Sequence, residues 1–236
     1  MKELKLLVTG TGKSGTLFMA NLLTSMDFPC GHESIFTEKG IKEAKSRLID
    51  ANKIKFSQCS INELKSNWTD PANIVADSSY LAAPFLSEDF LINTKIIHVV
   101  RNPIYVISSF VFSGGYFGDD WPYHSIDFQN FIKSNCPIVY DNNLNNINRA
   151  AIFYIEWNRM IEERSNKNNY FFYRLEDKIE NLLNYLNKYE YNKNLGKKIN
   201  CWNKNNLKIK LNDLEKTIRN EILEVSEKYG YHLFKL

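Results

Sequence analysis

Cysteine is scarce in this chain and never paired. Cys30, Cys59, Cys136 and Cys201 contain no Cys-x-x-Cys step and no metal-ligand spacing, so they read as reduced thiols and predict a cytoplasmic protein without a metal. Long apolar runs are missing too. Met1-Lys2-Glu3 leads straight into a short strand pattern, which predicts neither a secretory leader nor a membrane span. Charge of one sign is not in large excess: the formal net charge is +3 and the lysines are spread along the chain, which argues against a nucleic-acid partner. Internal repeats and domain linkers are likewise not evident. A chain of 236 residues is long enough for one sizeable core and short for two, so a single domain over 1–236 is expected.

What is present begins at residue 4. The apolar run Leu4-Lys5-Leu6-Leu7-Val8-Thr9 enters Gly10-Thr11-Gly12-Lys13-Ser14-Gly15-Thr16, and an apolar helix pattern opens at Leu17. Glycines let successive backbone N–H groups turn inward, and a helix N-terminus adds its positive dipole end, so the turn suits a phosphate-like anion. A nucleoside-triphosphate loop of the Walker A kind needs a glycine five residues before Gly12, where this chain has Leu7. The dinucleotide pattern G-x-G-x-x-G is met literally by Gly10, Gly12 and Gly15, with Glu33 near the spacing of a ribose-binding acid. That pattern gives no reason for a cation and hydroxyls inside the turn.

A second strand-to-helix junction lies at Lys95-Ile-Ile-His-Val-Val-Arg101-Asn102-Pro103. The β-branched run predicts a buried strand, Asn102 an N-cap and Pro103 a first helical residue. Arg101 then stands at a strand end beside a helix N-terminus, with a forked donor set suited to phosphate.

Together these segments resemble the sulfotransferase family, which uses 3′-phosphoadenosine 5′-phosphosulfate (PAPS) as sulfuryl donor. Thr9–Thr16 resembles its 5′-phosphosulfate-binding loop. Arg101-Asn102-Pro103, with Ser109 eight residues after the arginine, resembles its 3′-phosphate motif. One departure is Tyr105, where the family often carries an aspartate. Phe171–Asp177 and Glu227–Tyr231 resemble, more loosely, the family's late strand and closing helix. The resemblance implies that Gly10, Thr11, Gly12, Lys13, Ser14, Gly15, Thr16 and Leu17 bind the 5′ end of PAPS, and Arg101 and Ser109 its 3′-phosphate. A mildly positive chain would help attract such a donor.

Lys13 is the expected cation for the bridging oxygen. Glu33 is the first choice of general base for an acceptor hydroxyl or amine, and His32 beside it is the other, either as base or as the group orienting Glu33. No metal is required, because fixed donors take the place of Mg²⁺. Acceptor contacts, to a carbohydrate or small molecule, are expected from Asp77, Ser79 and Tyr80 after a strand, and from Tyr116 and Trp121 in the glycine-rich stretch 112–123, which could close over the site. His98 reads as a core histidine. Two other functions stay open: a P-loop kinase or nucleotidase using ATP-Mg²⁺ with Asp77 on the metal, and a PAPS-binding module without catalysis. A nicotinamide enzyme ranks last.

Strands are predicted at 4–9, 74–77, 95–100 and 169–174, with a shorter one ending near Gly31. Helices are predicted at about 147–164, where Ala150, Tyr154, Trp157 and Ile161 fall on one face, and from Asn212, where Asn-x-x-Glu215 reads as a capping box and Gly230 as the stop; the Asn- and Lys-rich stretches at 141–148 and 187–206 read as surface loops. This alternation predicts an α/β fold of three layers, a mostly parallel central sheet flanked by helices, as in the P-loop-like sulfotransferase fold.

Overall fold

The computed structural model describes residues 4–26, 28–50, 76–112, 117, 125–188 and 209–233. Tyr116, Trp121 and most of the 112–123 and 187–206 stretches lie outside the described residues. Five parallel strands form one sheet in the order β2-β3-β1-β4-β5. They are β1 Leu6–Thr9, β2 Cys30–His32, β3 Ala76–Ser78, β4 Lys95–Val100 and β5 Tyr170–Arg174. Every predicted strand appears, each within about two residues of its expected limits. Among the described residues seven α-helices lie between and after them: α1 Thr16–Ser25, α2 Ile41–Ile49, α3 Pro103–Phe112, α4 Ile126–Asn135, α5 Asn146–Arg164, α6 Ile179–Leu186 and α7 Lys216–Lys228.

The strands are buried on both faces because their side chains alternate between two cores. Leu6, Val8, Ile97 and Val99 point into a smaller apolar layer with Met19, Leu22 and Leu23 of α1 and Leu182 and Leu186 of α6. Leu7 and Ile96 face a larger, aromatic layer built on α3, α5 and α7. In that layer Phe153 packs tilted against Trp157 with ring centroids 4.7 Å apart, and Phe110 meets Phe153 edge-on at 5.4 Å. The predicted stripe of α5, Ala150, Tyr154, Trp157 and Ile161, is wholly buried there. No described helix is long and apolar enough to cross a membrane.

Two boundaries differ from expectation. Helix α5 begins at Asn146 with Asn145 as its cap, whose Oδ1 accepts from Asn148 N at 2.9 Å, so it takes in part of the predicted Asn-rich loop. Helix α7 begins at Lys216 and not at Asn212. Asn212 instead sits in a 3-10 turn, Leu211–Asp213, closed by Lys210 N donating to Asp213 Oδ2 at 2.7 Å. Glu215 leads α7 and exchanges two hydrogen bonds with Asn148 of α5, so a tertiary pair satisfies the group the local capping box was expected to satisfy.

His98 is the predicted core histidine, with both nitrogens bonded. Nε2 donates to Asn158 Oδ1 at 2.8 Å, an oxygen because Asn158 Nδ2 donates to Tyr154 O, and Nδ1 then accepts from Tyr170 Oη at 2.7 Å. Burial pushes its pKa down to about 4.

Candidate active site

Strands β1 and β4 are neighbours in parallel register, with Thr9 opposite His98. The glycine-rich turn after β1 and the Arg101 junction after β4 therefore emerge side by side at the carboxyl ends of the strands, the usual ligand edge of such sheets. They touch: Arg101 Nη1 donates to Lys13 O at 3.3 Å.

The turn is shaped by close approach. A side chain on Gly10 would put its first carbon 2.2 Å from Val99 O and 2.5 Å from Ser14 Oγ, so only glycine lets the turn lie against β4. Gly15, at φ 104°, caps α1 in the left-handed region, and among the described residues α1 has no side-chain cap hydrogen bond. Ser14 is fully buried and spends its hydroxyl on Thr11 O at 2.6 Å, closing the turn. Thr16 Oγ1 lies 3.2 Å from His32 Nε2. Thr11 Oγ1 is buried and has no hydrogen-bond partner among the described residues. An uncapped helix start and an orphaned buried hydroxyl both fit a bound anion.

Lys13 and Glu33 have positive φ values, 65° and 51°, and Asn187 is the only other such non-glycine among the described residues. Positive φ is uncommon for lysine and glutamate, and residues held in such backbone conformations cluster at functional sites. They feel each other's charge. Burial lowers the Lys13 pKa and Glu33 opposes that shift. Glu33 keeps 34% of its side chain accessible, yet its packed surroundings, then Asp77 and Glu38, push its pKa up to about 7 against the pull of Lys13. Burial pushes His32 the other way, down to about 4. The His32 ring is therefore neutral at pH 7, and its 3.7 Å approach to Glu33 Oε1 is a polar contact and not an ion pair.

The three described acceptor candidates are used by the fold. Asp77 is fully buried and accepts from the backbone N–H groups of Ser34 (3.1 Å), Ile35 (3.1 Å) and Phe36 (3.3 Å). Burial pushes its pKa up to about 6, with these bonds pulling the other way. It pins the loop that follows Glu33 and has no open face for an acceptor or a Mg²⁺ ion. Ser79 donates to Phe36 O at 3.0 Å and caps the following 3-10 turn through Leu81 N. The Tyr80 ring packs on Trp157, whose Nε1 donates to Tyr80 O at 3.0 Å.

At the second junction Asn102 caps α3 as expected, its Oδ1 accepting from Ile104 N at 3.0 Å. Ser109 lies in α3, nearly buried. Tyr105, the departure from the family pattern, lies under the Arg101 guanidinium at 5.7 Å, a cation–π contact that steadies the arginine in place of an acid. Sequence reasoning missed the residues bracing this corner. Tyr154 Oη donates to Arg101 O at 3.0 Å, and Glu176 accepts from Asn102 N at 3.2 Å and from Tyr231 Oη at 2.5 Å. Glu176 and Tyr231 stood in the two looser family segments, but no spacing rule ties them to residue 102.

A search of curated proteins found no match to the chain. The family model described as "Sulfotransferase domain" matches residues 3–232, from before β1 to beyond α7. The parallel sheet, the anion-shaped turn after β1 and the arginine corner after β4 agree with that match, and the chain belongs to the sulfotransferase domain family, whose chemistry is sulfuryl transfer.

Proposed function

We propose that the chain transfers a sulfuryl group from PAPS to a hydroxyl or amine of a carbohydrate or small-molecule acceptor. The observation that carries this reading is the hydrogen bond from Arg101 to the Lys13 carbonyl. It joins two anion-shaped corners into one edge, as a donor with separated 5′ and 3′ anions demands. The amides leading α1, with Lys13 and Thr11, would hold the 5′ end; Arg101, with Ser109 in the helix behind it, would hold the 3′-phosphate. The donor supplies an activated sulfuryl group on a phosphate leaving group. In an in-line transfer the acceptor oxygen bonds to sulfur as the sulfur–phosphate oxygen bond breaks.

The chain's own part is to orient, neutralise and deprotonate. Lys13 offsets charge gathering on the leaving oxygen. Glu33, with a pKa near 7, takes the acceptor proton, because a base works best when its pKa lies near the working pH. His32, neutral and far less basic, orients rather than accepts: it lies between Thr16 Oγ1 and Glu33. The free thiols of Cys30 and Cys136 accord with a reducing, cytoplasmic setting.

The test is transfer of ³⁵S from labelled PAPS to a panel of hydroxylated and amino acceptors in EDTA. Label should move to at least one acceptor without added metal and stop in Glu33→Gln. Transfer of ³²P from ATP that depends on Mg²⁺ would favour the kinase reading instead. PAPS binding with no transfer to any acceptor would leave a binding module.

A further inference from the structure

The corner that carries Arg101 also contains a carboxylate. Glu176 Oε1 accepts from the backbone N–H of Asn102, the residue next to Arg101 and the cap of α3. A carboxylate at a helix N-terminus competes for the same positive end that an incoming phosphate uses. Its other oxygen, Oε2, is taken by Tyr231 Oη at 2.5 Å. Burial and the Glu176 charge both raise the Tyr231 pKa strongly, so the phenol stays protonated as a donor.

Tyr231 is itself held firmly. It follows Gly230, whose φ of 74° turns the chain sharply after α7. Arg174 Nη1 donates to Gly230 O at 2.9 Å, and its guanidinium lies over the Tyr231 ring at 5.7 Å. Arg174 is also committed to Asp177 at 2.6 Å, so its charge is shared before it reaches Glu176. The tail after α7 thus crosses the ends of β4 and β5 and places the Tyr231 hydroxyl closely on Glu176 Oε2, with Val100 O at a longer 3.5 Å.

We infer that Tyr231 is a positioning residue for donor binding: its hydroxyl holds the Glu176 carboxylate away from Arg101, leaving the guanidinium free for the donor's 3′-phosphate. This deepens the PAPS reading and rests on it. Without the hydroxyl, Oε2 loses its donor; the carboxylate stays anchored on Asn102 N, and because Arg174 is held by Asp177 and Gly230 O, it turns toward Arg101 as a competing anion. The effect belongs to the 3′ end alone. The 5′ turn bonds neither Glu176 nor Tyr231 through any described contact.

Calorimetric titrations of adenosine 3′,5′-bisphosphate and of adenosine 5′-monophosphate test this. Wild-type protein should prefer the bisphosphate. Tyr231→Phe, which keeps the ring over Arg174, should weaken bisphosphate binding roughly five- to tenfold, the range expected for one bond to a charged group, and change monophosphate binding less than twofold. Adding Glu176→Gln to that variant should restore bisphosphate binding to within about twofold, because the competing charge is gone. A purely structural tyrosine predicts otherwise: equal losses for both ligands, with no rescue by Glu176→Gln, and either outcome overturns the inference. Unchanged bisphosphate affinity in Tyr231→Phe does so as well. Should Tyr231→Phe not fold, Glu176→Gln alone decides, since bisphosphate affinity at or above wild type is expected and a loss beyond about fivefold is contradictory. A wild-type protein that ignores the bisphosphate sinks the PAPS reading itself, a result distinct from all of these.

Discussion

The two proposed anion corners of this site are built by opposite means. The turn between β1 and α1 is nearly all backbone: Gly10 lies against Val99, Gly15 caps α1, and Ser14 closes the turn on Thr11 O. The corner between β4 and α3 is braced by side chains that arrive from far along the chain, Tyr154 on Arg101 O and Glu176 on Asn102 N, with Tyr231 holding Glu176. The first corner is complete within seven residues and the second needs four separate segments. Damage to the first should therefore erase chemistry, and damage to the second should tune affinity.

The largest effects should come from the first corner and the groups facing it. Glu33→Gln should lower kcat by about 10²- to 10⁴-fold with little change in bisphosphate affinity, since it removes only the proposed proton acceptor. Lys13→Ala should lower kcat by about 10²- to 10³-fold, the range for losing one preorganised charge, if Lys13 acts on the leaving side as proposed. Steady-state assays with labelled donor check both. If either variant kept more than a tenth of wild-type kcat, the division of labour between the corners would be wrong.

Next comes the second corner. Arg101→Ala should weaken bisphosphate binding by roughly ten- to a hundredfold, as expected for bonds to a charged group, and raise KM for the donor far more than it lowers kcat. A large fall in kcat at saturating donor would show that the corners are not separable.

The fold beneath the site gives a stability prediction. Asp77→Ala orphans three buried amides and should cost about 3 kcal/mol or more in urea unfolding. Activity should fall with it, because those amides hold the loop after Glu33. A change below about 1 kcal/mol would mean the amides find water and the carboxylate is free for another role.

The smallest effect is a pH dependence. A folded pKa for Glu33 near 7, above the ordinary 4.5, means the native state holds a proton that the unfolded chain has released between those values. Stability from this group is present below pH 4.5 and is lost as pH rises toward 7. His32, with its folded pKa lowered from 6.5 to about 4, acts in the opposite sense, its contribution falling as pH drops below 6.5. Comparing wild type with Glu33→Gln isolates the glutamate. The variant should gain a few degrees in Tm over wild type on going from pH 4.5 to 8, and wild-type kcat/KM should climb tenfold per pH unit below about 7. A Tm gap that stays constant with pH would place the Glu33 pKa near its ordinary value.

The contrast between the corners also explains what could be read from residues alone. Gly15, the Asn102-Pro103 start and the stripe of α5 act within one turn or one helix, so their spacing carries the signal. The left-handed backbone at Lys13 and Glu33 has no such marker, because neither residue type announces positive φ. Asp77, expected at an acceptor or a metal, is engaged by a loop more than forty positions earlier in the chain. Asn148 and Glu215, which together set the start of α7, are 67 positions apart. These pairings are tertiary, and no local pattern encodes them. The resemblance itself came from short segments, and the family match extends it to residues 3–232.

The central claim, that both corners grip a single adenylate with anions at its two ends, is tested most directly by calorimetry in EDTA. Adenosine 3′,5′-bisphosphate should bind wild-type protein at least tenfold more tightly than adenosine 5′-monophosphate, and Arg101→Ala should abolish that preference while both nucleotides still bind weakly. A preference for ATP with Mg²⁺, or a bisphosphate preference that survives Arg101→Ala, would contradict it.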